Sequence, residues 1–220
     1  MTGLATLLVL ADGRLPAGGH AHSGGLEAAV TSGRLRDLAG LTAFLHGRLA
    51  GTGRVAAAFA AAACAAAKAD DIARTDALDQ GMDARTPSPA LRRASRAQGR
   101  ALLRAGRAMW PVDPVIRNPH HPVALGVVAA AAGLSPAEAA VTGAYGTVSG
   151  PASAAVRLLG LDPYAVHALL AGLAGVCDRL AALAVAGADD PVDRLPADST
   201  PLLEIGAEVH ASWEVRLFAS

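Results

Sequence analysis

Val166, Leu169, Leu170, Leu173, Val176, Cys177, Leu180 and Leu183 recur at i, i+3, i+4, i+7 for five turns, with His167, Asp178 and Arg179 off the stripe. Only a helix puts residues at that spacing on one face, and a face that apolar has to pack lengthwise against other helices. The period-2 alternation of a half-buried strand is almost absent along the chain, whereas helical periodicity recurs from end to end. The fold class this predicts is all-α.

The ends of other helices are written in their capping residues. Ser135-Pro136-Ala137-Glu138 is a capping box with proline at the first helical position, and it predicts a helix running to about Leu159, stopped by Gly160. Asp37 is placed to cap Leu38, Leu41, Leu45 and Leu49, and Thr52 to cap the alanine-rich run to Lys68, with the intervening glycines as stops. Thr200-Pro201 opens a last helix carrying Leu202, Ile205, Val209 and Trp213. Breaks fall at Thr86 to Pro89, Pro111 to Pro122 and Gly187 to Pro201, each short enough to connect helices inside one domain. The expectation is one domain over residues 1–220 with eight to ten helices, residues 200–220 forming a docking helix and tail.

Composition narrows the function. Lys plus Arg and Asp plus Glu are both 19, so no global field draws the chain to nucleic acid or an anionic membrane. The chain is 52% hydrophobic but 3% aromatic, because alanine dominates. Its mean hydropathy of +0.35 points to apolar surface buried against other subunits. Cys64 and Cys177 sit in apolar helical runs, as buried free thiols of a reducing compartment do. MTGLATLLVLAD lacks a basic n-region, and the apolar runs Val55 to Ala67 and Val123 to Leu134 are shorter than the ~20 residues of a membrane span. A cytoplasmic protein off the membrane is expected.

LADGRLPAGGHAHSGGLEAAV, residues 10–30, looks like a ligand loop. Yet its glycines lead to Leu26-Glu27 rather than to the Lys-Ser/Thr of a phosphate loop, and no strand and crossover pattern surrounds it. His20 and His22 offer two nitrogen donors with no third ligand at a recognisable spacing, which makes them weak metal candidates. A structural corner fits better. Pro16, Gly18 and Gly19 make a turn, Ser23 caps a helix beginning at Gly24 or Gly25, and Glu27 lies near that helix N-terminus.

From Arg85 to Arg107 there are seven arginines and no acid, with Arg92, Arg96, Arg100 and Arg104 every fourth residue. A nucleic-acid binder using this ridge is one reading, but interleaved aromatics are lacking. A solvated face paired with Asp70, Asp71, Asp76, Asp79 and Asp83 is the plainer one. His120-His121-Pro122 reads as a helix entry more readily than as a nickel or zinc pair. No Ser/His/Asp or Cys/His set stands out, so a non-enzyme is expected. Trp213 and Phe218, in the last eight residues, must either fold back or anchor a partner.

Taken in order, several stretches resemble the urease accessory protein UreF family. They are Leu15 to Glu27, Arg92 to Arg100, His121 to Gly126, Ala154 to Leu158, Glu208-Val209-His210 and the close Arg216 to Ser220. The resemblance implies an all-α homodimer without catalytic residues, a component of a nickel-insertion chaperone. Such a protein bridges the UreD (UreH) scaffold and the UreG GTPase, and delivers nickel to apo-urease through the complex. It implies no stably bound cofactor, with nickel at most in transit. It points to His210, Trp213, Arg216, Leu217, Phe218 and Ser220 as the UreD side, and to Arg157, Arg96 and Arg100 as the dimer or UreG side. The corner residues Pro16, Gly18, Gly19, His22, Ser23, Gly24, Gly25 and Glu27 match the structural signature. His20 stands where the family usually has an aromatic. A rival is a direct nickel metallochaperone using His20, His22 and His120 or His121.

Overall fold

The computed structural model describes residues 3–113 and 117–220. Its helices are α1 (Leu4–Ala11), α2 (Leu26–Thr31), α3 (Leu38–Arg48), α4 (Arg54–Lys68), α5 (Ile72–Ala84), α6 (Pro89–Met109), α7 (His121–Ala131), α8 (Pro136–Leu159), α9 (Pro163–Ala186) and α10 (Pro201–Ala211), with no strand among the described residues. The all-α expectation holds. Of the break expected from Pro111 to Pro122, residues 114–116 lie outside the described part, as do Met1 and Thr2.

The alanine-rich α4 is the axis. Ala57, Phe59, Ala60, Ala61, Ala62, Ala63 and Cys64 have no exposed surface. A helix that is apolar all round is a core helix, and α4 packs against α5, α7, α8 and α9. Its faces feed each of the three apolar clusters: one with α3, α8 and α9, one with α6 and α7, and one with α5. Small side chains permit the crossings. A Cβ on Gly126 of α7 would lie 2.5 Å from the Ala60 carbonyl oxygen and 2.6 Å from the Cys64 nitrogen, so only glycine fits where α7 meets α4. Cys64 and Cys177 are both buried free thiols.

The caps at Asp37, Ser88, Ser135 and Asp162 each accept a backbone N–H of the following helix, and Ser135 and Glu138 form the complete capping box. The expected stop before α4 does not occur. Leu49–Gly53 is a single π-helical turn that carries α3 straight into α4, and the Thr52 hydroxyl donates to the Arg48 carbonyl (3.2 Å) instead of capping. The glycines permit tight packing here rather than a break: a Cβ on Gly51 would lie 2.5 Å from the Thr200 methyl.

Beside that turn Arg48 performs a repair. Pro151 sits inside α8, where it cannot donate to the Thr147 carbonyl one turn earlier. Arg48 Nε donates to that carbonyl at 2.7 Å, while Nη1 donates to the Gly24 carbonyl at 2.6 Å. One side chain therefore ties α3 both to the proline position of α8 and to the glycine corner.

Candidate partner-binding site

The glycine corner has the backbone its sequence demands. Gly18, Gly24 and Gly25 have φ of +75°, +61° and +89°, in the left-handed region that side chains strain to enter. Gly25 is the residue before α2, so the helix starts at Leu26, a little later than the sequence suggests. Ser23, fully buried, still caps it by accepting the Glu27 N–H at 3.2 Å.

What the corner holds is the end of the chain. The Ser23 hydroxyl donates to a main-chain carboxylate oxygen of Ser220 (2.9 Å), and the Ser23 N–H donates to the same oxygen (2.6 Å). The Ala219 N–H donates to the Ala21 carbonyl (2.7 Å), and His22 Nδ1 shares a hydrogen bond with the Ser220 hydroxyl (2.7 Å). At the centre is Glu27, 5% exposed. Its Oε1 accepts the Leu217 N–H (2.8 Å); its Oε2 accepts the Phe218 N–H (3.1 Å) and meets His210 Nε2 of α10 at 2.8 Å. Burial works to raise the Glu27 carboxyl, but these bonds outweigh it and hold the group below its ordinary 4.5.

The fate of the terminal aromatics follows. Phe218 folds back and is 5% exposed, under the Arg157 guanidinium at 4.9 Å from its ring centre. Trp213 is half-buried against His210, ring centres 4.9 Å apart. Val215 and Leu217 of the tail, and Leu202, Ile205 and Val209 of α10, are all more than half exposed. Arg216 is exposed as well. Of the residues matched to the UreD side, then, Arg216 and Leu217 have exposed side chains and Trp213 is half-buried, while His210, Phe218 and Ser220 hold the tail down.

The arginines grouped by resemblance do not converge. Arg157 belongs to the tail cluster. Arg96 bridges Asp79 (3.0 Å) and Asp83 (2.6 Å) of α5, as the intramolecular reading of the ridge expects, and also bonds the Asn118 carbonyl. Arg100 bonds the Asn118 side chain. His120 is fully buried in the same cluster: its N–H donates to Asp79 (2.7 Å), and its ring meets Ser95 and Asp83, both at 3.0 Å. It is a helix-entry residue. His20 is exposed, and among the described residues no three His, Cys, Asp or Glu side chains converge as a metal site would require.

Sequence comparison identifies what this scaffold is. The UreF family model matches residues 35–174. A protein of Mycobacterium sp. (strain JLS) is 50% identical over 223 aligned positions that take in all of both chains. The chain belongs to the UreF family. Proteins of Mycobacterium marinum and Mycobacterium tuberculosis, also aligned over their full lengths, are 47% and 43% identical. All three carry the name urease accessory protein UreF, which describes an accessory protein and not a urease enzyme. The family match ends short of the corner and the tail, but the full-length alignments span both. Among the described residues of this chain, two helical stretches have the length and composition to cross a membrane, Leu38–Lys68 and Pro163–Ala186, and the first is 72% buried within the protein.

Sequence reading missed Arg48, and it named Glu208 only within a matched stretch, without a role. Arg48 lies seven residues from Leu41, in the register of the α3 apolar face, and a cation on an apolar stripe is a signal that could have found it. Glu208 of α10 accepts the Ala90 N–H (2.8 Å) and the Ser88 hydroxyl at the start of α6, a contact across 120 residues that leaves no local trace.

Proposed function

We propose that this chain is the UreF component of a nickel-insertion chaperone, cytoplasmic and non-catalytic, which bridges the UreD scaffold and the UreG GTPase so that nickel reaches apo-urease. The observation that carries the reading is the set of exposed apolar side chains, Leu202, Ile205 and Val209 on α10 and Val215 and Leu217 on a tail anchored through Glu27. An apolar surface pinned in place from beneath is preorganised for docking, since little ordering entropy remains to be lost on binding. Membership of the UreF family supports the partner class proposed.

The homodimer is assigned to α9. Its 18-residue apolar window has a mean hydropathy of 1.8 but is only 28% buried, and Ala171, Gly172, Ala174 and Gly175 face outward where a second helix could approach closely. UreG is assigned to neither surface, and Arg96 and Arg100 remain its candidate contacts. A direct nickel metallochaperone gains no support from His120, which is bonded to Ser95 and Asp83.

The test is co-expression with UreD and UreG followed by affinity capture. A Val215→Glu, Leu217→Glu double variant changes exposed side chains only, so it should fold as the parent does and lose UreD. Normal UreD capture by that variant would refute the tail assignment. Ala171→Glu should turn the dimer into a monomer by sedimentation without altering helicity.

A further inference from the structure

Where α3, α6, α7, α8 and α10 meet there is a cavity of about 220 Å³. At ~30 Å³ per water that is room for about seven waters, or for a small ligand with some of them. Its wall contains polar groups that the protein leaves unmatched. After bonding Thr147 and Gly24, Arg48 has three N–H groups without an acceptor among the described residues. The Gln98 amide and the His121 imidazole line the same space, also without a hydrogen-bond partner among the described residues. Thr200 Oγ1, in the same wall, is buried and has no hydrogen-bond partner among the described residues, and together with the amide, imidazole and guanidinium it suits the cavity to a polar occupant.

The sign of the charge narrows the occupant. No carboxylate lies within ion-pair distance of Arg48 among the described residues, and burial alone pushes its guanidinium down to about 10. Arg85, also in the wall, is satisfied by the carbonyls of Gly81, Val192, Leu195 and Pro196 rather than by an acid. Of the wall carboxylates, Asp198 pairs with Arg54, Glu204 accepts the Thr200 N–H, and the Ser220 main-chain carboxylate accepts the Ser23 N–H and hydroxyl without reaching ion-pair distance of Arg48. Burial, and then the neighbouring His22, push the His121 imidazole down to about 4, so it is neutral near pH 7. A divalent cation beside an uncompensated guanidinium would be repelled, whereas an anion would supply the missing acceptors and counter-charge.

We propose that this cavity is a binding site for a small oxyanion, a carboxylate, carbonate or phosphate, seated on the free N–H groups of Arg48 with the Gln98 amide and His121 imidazole around it. The assignment is independent of the urease reading, and it can fail while that reading stands.

The experiment is calorimetric titration of the full-length purified protein at pH 7 and fixed ionic strength, with sodium formate, bicarbonate and phosphate as separate probes and chloride as control. Saturable binding of at least one oxyanion, but not of chloride, is expected. Phosphate binding alone would mark a tetrahedral ligand, and formate or bicarbonate binding a planar one; either supports the site. Arg48→Met should abolish binding. Because Arg48 also bonds Thr147 and Gly24, Gln98→Leu provides a second variant that keeps those ties and should weaken binding roughly tenfold. The bound anion should also raise the His121 titration point above its anion-free value by NMR. No saturable binding of any probe, or binding unchanged by both substitutions, would overturn the proposal.

Discussion

Replacing Glu27 by glutamine tests the tail latch, because it keeps the shape of the side chain and removes the charge. In the parent, the two carboxylate oxygens accept from three donors: the Leu217 and Phe218 N–H groups and His210 Nε2. An amide has one oxygen and an NH2 group. Even in its better orientation the NH2 faces a donor, so at least one buried N–H loses its acceptor, at about 1–3 kcal/mol. The bonds that survive fall from charge-assisted to neutral strength, roughly another 1 kcal/mol together. The sum is about 3 kcal/mol, equivalent to about a hundredfold shift toward the undocked tail. The tail can detach without the helices unfolding, so the loss should be local. Amide hydrogen exchange at Leu217 and Phe218 should accelerate by about that factor, and a protease should trim the tail sooner. Exchange in α4 should be unchanged. Parental protection at Leu217 and Phe218 in Glu27→Gln would refute the hub role of Glu27.

Further outcomes follow from the same contacts. His121 titrates at about 4 when folded, against 6.5 for the free side chain. The unfolded chain therefore takes up its proton first as the pH falls, and stability should decline between pH 6.5 and about 4, approaching about 3 kcal/mol. Urea denaturation at several pH values measures this slope, and His121→Gln should flatten it. Glu27 adds its own acid sensitivity at the acid end of that range and below it. With a folded pKa under 4.5, its contribution is present above 4.5 and lost as the pH falls through the folded value, so tail protection should vanish in strong acid while helical circular dichroism persists. Gly126→Ala should cost about 2 kcal/mol or more of global stability, because the added methyl meets the backbone of α4. Thermal melts would show it, and an unchanged midpoint would mean that α7 and α4 can part at little cost.

Local chemistry made much of this legible beforehand. The three-four spacing of Val166 to Leu183 announced α9, and Ser135 to Glu138 announced the start of α8, because caps and periodicity act within a turn or two of the residues that encode them. The basic ridge was half legible: the neutral chain implied acidic partners for it, and Asp79 and Asp83 proved to be the ones for Arg96. Thr52 misled, because a threonine between glycines looks like a cap wherever local rules alone apply. The packing of Thr200 over Gly51 favours an uninterrupted, bulged helix instead.

By itself the sequence determined the helical class, the helix ends set by capping side chains, the positive-φ corner and the family. Each rests on short-range sterics and hydrogen bonding, or on residues matched in order along the chain. Only the tertiary structure decided that Glu27 holds Leu217 and Phe218, that Arg48 completes the hydrogen bond Pro151 cannot make, and that Phe218 lies buried while Leu217 faces outward. Those pairings join residues about 100 to 190 positions apart. Which buried donor finds which acceptor at such separations depends on how ten helices pack, and no local pattern of residues encodes that.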